Sequence, residues 1–178
     1  MQFKQKSLAS LGYLSLTIVV VILFFWIGRH LILKPNTSVK ASEKQSNEVY
    51  ERGSEVMPFE QNLTTHTFVP DSDGGTQIVT VNDPSDFNQI QLIREHLQEE
   101  AQKFAQGDFS SPAAIHGEDM PGLAALQDGG NRVDVQYNEL PNGARLIYSS
   151  NDSEIVAALH KWFNAQDRDH NSHENMNH

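Results

Sequence analysis

The sequence predicts an α+β protein: an N-terminal transmembrane helix followed by a small ββαββα antiparallel sheet with two helices on one face. Three observations predict it. An uncharged apolar run fills Leu11–Gly28, two β-rich hairpin patterns recur along the chain, and an amphipathic helical period follows each hairpin. That order lays both helices against a single face of an antiparallel sheet.

The apolar run LGYLSLTIVVVILFFWIG is extended past Arg29 and His30 by Leu31, Ile32 and Leu33. A bilayer core takes about 20 apolar residues at helical rise, and a cleaved signal uses about 7–15, so residues 1–34 are expected to form an anchor. Val39-Lys40-Ala41 offers small residues at signal-peptidase spacing, but well beyond the apolar run. A short basic N-terminus ahead of the span places the C-terminal part outside the cytoplasm, in the periplasm of a bacterial host. Residues 35–62 are polar, mixed in charge and without an apolar period, so they are expected to be a flexible linker. A globular domain then occupies 63–169, and a His-rich tail, expected to be disordered, fills 170–178.

Composition removes several function classes. Four of the 13 basic residues (Lys4, Lys6, Arg29 and Lys34) precede Pro35, and none of the 23 acidic ones does, so the soluble part is strongly acidic. With no basic stripe after Lys44, the electrostatic attraction that dominates nucleic-acid binding is missing. No cysteine is present, which removes thiolate nucleophiles, zinc-thiolate sites, iron–sulfur clusters and c-type haem attachment.

Within the domain, His66–Val69 and Thr76–Val81 flank the turn-forming run Pro70–Gly75 as a first hairpin. Asp71-Ser72-Asp73-Gly74 begins like a calcium loop, but Asn82 stands where the EF-hand pattern needs Glu, so it reads as a turn. Asp83-Pro84-Ser85-Asp86 is expected to open a helix with Asp83 as cap and Pro84 at the first helical position. Ile90, Ile93, Leu97, Ala101 and Phe104 then share one helical face. Gly107 ends that helix. Asp108–Gly130, broken by Pro112, Gly117, Pro121, Gly122, Gly129 and Gly130, is expected to be an irregular connection with at most one turn near Leu123–Leu126. Val133, Val135 and Tyr137 alternate with polar residues, Leu140–Gly143 turns the chain, and Ala144, Leu146 and Tyr148 alternate again. Asp152-Ser153-Glu154 caps a last helix whose inner face holds Ile155, Leu159, Trp162, Phe163 and Gln166.

Seven of the eight histidines follow the anchor, and imidazole is the commonest metal-ligating side chain. His96 and His160 each stand about 100° from the centre of their helix's apolar stripe, on rims that could meet between paired helices. Ile115–Gly122 places His116, Glu118, Asp119 and Met120 in one loop, and imidazole with thioether suits copper. The expected site is therefore a transition-metal centre, copper first, of His96, His116, Met120 and His160. The blander alternative makes both rim histidines backbone-bonded boundary residues and Met120 a plug beneath the loop. A metal-free domain docking a partner membrane protein is the alternative function. No nucleophile elbow, phosphate loop or zincin motif occurs, so catalysis would rest only on Asp108, His116, Glu118, Asp119 and Arg145 converging.

The segments Gly107-Asp108-Phe109-Ser110, Ile115-His116-Gly117, Asp119-Met120-Pro121-Gly122 and Ala158-Leu159-His160-Lys161-Trp162-Phe163 with Ala165-Gln166 and Asp169-His170 resemble those of a small, poorly characterised bacterial envelope family. Its members share the pattern from about His66 to His170 and are sometimes labelled aspartate carbamoyltransferase. Carbamoyltransferases of that name hold carbamoyl phosphate with a Ser-Thr-Arg-Thr loop, which this sequence lacks. The resemblance implies that these segments form one unit in the fold, and it implies no mechanism.

Overall fold

Each expected hairpin closes as an antiparallel pair, and the two pairs join through their second strands. In the computed structural model, which describes residues 37–174 with side chains for 44 and 46–170, β1 (Thr64–Pro70), β2 (Gly74–Val81), β3 (Asp134–Leu140) and β4 (Gly143–Ser149) form one sheet. Its order is β1-β2-β4-β3, antiparallel throughout. The inward face carries His66, Phe68, Val79, Ala144, Leu146 and Tyr148, with Val79 opposite His66 on one side and Ala144 on the other. The outward face carries Thr65, Thr67, Thr76, Ile78 and Thr80, the alternation of a sheet covered on one side.

Two long helices cover the inward face. α2 (Phe87–Phe104) lies over β3 and β4 and buries Ile90, Ile93, Leu97, Ala101 and Phe104, while α5 (Ser153–Glu174) lies over β1 and β2. The start of α2 differs from expectation. Asp83 accepts from the Ser85 N–H and Oγ in a local turn, and Asp86 is the true cap, its Oδ1 accepting from the Gln89 N–H at 3.1 Å. Asp86→Ala should therefore cost about 1 kcal/mol in urea unfolding, whereas Asp83→Ala should stay within about 0.5 kcal/mol. At α5 the expected cap holds, Asp152 Oδ1 accepting from the Glu154 N–H.

The connection after α2 is more regular than its glycines and prolines suggest. It forms two short helices, α3 (Ser110–His116) and α4 (Leu123–Gly129). Gly122, at φ 89°, lets the start of α4 meet the α5 backbone, because a Cβ there would lie 2.2 Å from Ala158 O.

Both flanks of the domain are corrected by the structure. The segment expected as a flexible linker, 35–62, is helical over Thr37–Val56 (α1), followed by a 3-10 turn at Gln61–Leu63. Ser46, Val49 and Gly53 lie on one stripe of α1, and Val49, Met57 and Phe59 belong to the hydrophobic core. Polar bonds fasten it: Arg52 Nε donates to Ile115 O at 2.6 Å, and the Glu60 N–H donates to Gln89 Oε1 at 2.8 Å. From Lys44 onward the chain is one compact unit. At the other end α5 runs to Glu174, so Asp169, His170 and the first residues of the expected tail belong to a helix. The apolar span at Leu11–Gly28 lies outside the described residues; among those described, no helix is long and apolar enough to cross a membrane.

Candidate binding site

Beneath α5, between the inward face of β1–β2 and the helices α2 and α3, lies a partly open cavity of about 50 Å³. That is room for about three or four water-sized groups. Four imidazoles line it, those of His66, His96, His116 and His170, together with the Met57 thioether and the Glu100 carboxylate. Phe59, Phe68, Leu97, Ile115 and Trp162 make its apolar walls.

Each histidine arrives from a different element. His66 sits on the inward side of β1 because it alternates with Phe68. His96 lies on α2, His116 ends α3, and His170 follows Gln166 by one turn on α5. The rings form a chain: His66 stacks on His170 with centroids 4.4 Å apart, His170 meets His116 edge-on at 5.6 Å, and Phe59 lies between His66 and His96 at 5.8 and 5.6 Å. Asp169 holds His116 through its Nδ1 at 2.7 Å, with the imidazole only 2 % exposed. In a neutral ring that donates from Nδ1, Nε2 is left as an acceptor.

Three polar atoms in this lining are buried without a hydrogen-bond partner in the protein: His66 Nε2, Trp162 Nε1 and Gln166 Oε1. Burial lowers the His66 pKa from 6.5 to about 4, and the neighbouring His96 and His116 act in the same direction. The ring is therefore neutral at ordinary pH. Burial also lowers the His96 pKa, against the opposing pull of the Glu100 carboxylate. Glu100 is itself engaged: Oε1 accepts from Lys103 Nζ at 2.8 Å and from Ser111 Oγ at 2.9 Å, and this contact raises the Lys103 pKa.

The four residues expected to form a metal centre are divided by the fold. His96 and His116 line the cavity. His160 does not: its Nε2 lies 2.9 Å from Asp71 O and 3.1 Å from Gly74 O, both acceptors, so that nitrogen carries a proton and ties α5 to the β1–β2 turn. Arg94 does the equivalent for the other hairpin, donating to Leu140 O at 2.6 Å and to Gly143 O at 3.3 Å. Met120 is buried beside Pro121, Ala158 and Lys161, along a separate surface groove. Among the described residues, no group of three or more His, Asp or Glu side chains is arranged to hold a metal ion.

Sequence reasoning missed Met57, His66, Trp162, Gln166, Asp169 and His170. The signals were present for two of them: His66 has the inward parity of Phe68, and His170 continues the Trp162–Gln166 face of α5. Phe109 lies edge-on to Trp162 at 5.6 Å, and His116 is bonded to Asp169. Comparison with protein-family models, with curated proteins and with solved structures gave no match.

Proposed function

We propose that this chain is a membrane-anchored, extracytoplasmic binding module whose ligand occupies the histidine-lined cavity. The observation that carries this reading is the trio of buried atoms without a protein partner, an indole N–H, an amide oxygen and an imidazole nitrogen, all on residues that line one cavity. The large majority of buried polar atoms in native proteins are paired, and each unpaired one costs about 1–3 kcal/mol. Three around a single cavity mark a place kept polar for a guest. The guest is small and carries no negative charge, since it would sit beside Glu100 and Asp169 within apolar walls. The uncharged run Leu11–Gly28 and the basic residues before it support the anchor and the outward orientation.

Stability separates this reading from a purely structural one. Gln166→Met keeps side-chain volume and removes the unpaired oxygen, so it should raise unfolding stability by about 1 kcal/mol, the exchange expected where polarity serves binding. A loss of stability instead would show that Gln166 is part of the scaffold, and would contradict the proposal.

A further inference from the structure

We propose that the surface groove beside Met120 docks a basic amphipathic helix of a partner protein. The groove is independent of the histidine-lined cavity, with which it shares no lining residue.

The groove, of about 550 Å³, runs between α5 and the chain that leads from α3 into α4. That volume falls among ligand-binding clefts, which span about 300–1,000 Å³. Its floor is small and apolar. Ala157 and Ala158 come from α5, Ala124 and Ala125 from α4, and Gly122 from the turn before α4. Ala124, Ala125 and Ala157 are exposed, and Met120 and Pro121 complete the apolar lining. Along α5, Glu154, Ala157, Ala158 and Lys161 follow one another at i, i+3, i+4 and i+7, the spacing of a face on which another helix packs. The Asp119-Met120-Pro121-Gly122 segment, which the sequence singled out and the cavity does not use, belongs to this groove.

Charge selects the occupant. The rim carries Glu118, Asp119 and Glu154 against the single base Lys161, all four exposed. None of the four enters an ion pair among the described residues, whereas Glu48, Glu139 and Asp152 elsewhere on the surface pair with Lys44, Arg94 and Arg132. Three unmatched carboxylates around an apolar floor repel phosphate and anionic lipid, and they complement lysine and arginine. The occupant that meets both features is a helix with an apolar ridge for the floor and basic residues on its flanks, docked in the helix-in-groove mode.

The test uses the full-length chain, ¹⁵N-labelled, in zwitterionic micelles. The probe is a capped alanine–lysine peptide of about 20 residues, long enough to be helical in water, with two leucines one turn apart. A control peptide carries glutamate at every lysine. The expected result is a saturable shift of the Ala124, Ala125 and Ala157 amide signals with the lysine peptide, none with the glutamate peptide, and an affinity that falls as salt is raised. Ala157→Arg places bulk and positive charge on an exposed floor position, so it should abolish binding while folding stays within the small change of a surface substitution. Glu118→Lys combined with Glu154→Lys should weaken binding by about 10-fold. Absence of binding overturns the proposal. So does binding that the glutamate peptide matches, or that Ala157→Arg and the charge reversals leave unchanged. Self-association of the chain that Ala157→Arg abolishes overturns the partner and assigns the groove to a second copy. Each of these failures leaves the cavity reading intact, because no residue is common to the two sites.

Discussion

Replacing Trp162 with alanine is expected to cost about 3–5 kcal/mol of folding stability, the largest effect of any single change considered for this chain. The indole is fully buried, and four aromatic rings surround it: Phe104, Phe109 and Tyr148 edge-on at 5.9, 5.6 and 5.7 Å, and Phe163 at 5.6 Å. Phe104 and Phe109 are themselves stacked at 4.8 Å, so α2, the start of α3, β4 and α5 all converge on one ring. Alanine would forfeit the apolar contact area and the edge-to-face terms together, and the stacked pair cannot collapse into the space without moving both elements. Urea unfolding of the variant should show a much lower midpoint, or no cooperative transition. Trp162→Phe should lose far less, because it keeps the ring and removes an unpaired N–H.

Acid should destabilise the domain through His66 over a defined window. The unfolded imidazole titrates near 6.5 and the folded one at about 4, so below 6.5 the unfolded state binds a proton that the folded state resists. The stability conferred by keeping this ring neutral is complete above about pH 6.5. It falls as pH drops towards 4 and levels off below that. At about 1.4 kcal/mol per pH unit the loss is about 3 kcal/mol. His96 adds to it in the same direction. Urea midpoints at intervals between pH 7.5 and 4 should trace this decline, and His66→Gln should flatten most of it. A decline unchanged in that variant would assign the acid sensitivity to other groups, such as the aspartates.

The parts of the fold that were legible in the sequence are those whose pattern is local. Strict alternation at Val133–Tyr137 and Ala144–Tyr148, and the stripe from Ile90 to Phe104, gave the strands of the second hairpin and the covering face of α2. What was not legible depended on distant partners. α1 escaped notice because its buried stripe runs through Ser46 and Gly53, which carry no hydrophobic signal, and because its fastening bond from Arg52 reaches Ile115, 63 residues away. The start of α2 was misplaced because Asp83-Pro84 satisfies the same pattern as Asp86, and only the hydrogen bonds distinguish cap from turn. His96 and His160 stand at similar angles on their helices, yet one faces a cavity and the other a turn carbonyl 89 residues away. A helical period gives the face of a side chain and not what that face meets. Met120 was drawn into the site by its nearness to His116 in sequence, whereas the glycine at 117 turns the chain away to a separate groove.

The binding site itself is tested most directly by the indole N–H resonance of Trp162. In the full-length chain, Trp26 is the only other tryptophan, so Trp26→Phe leaves a single indole signal. The ¹⁵N-labelled protein in micelles would be titrated separately with imidazole and with acetamide. A saturable shift of that one resonance with at least one of the two, abolished in Gln166→Met or His66→Gln, is the predicted result. A resonance that stays fixed through both titrations would contradict the assignment of this cavity as a binding site.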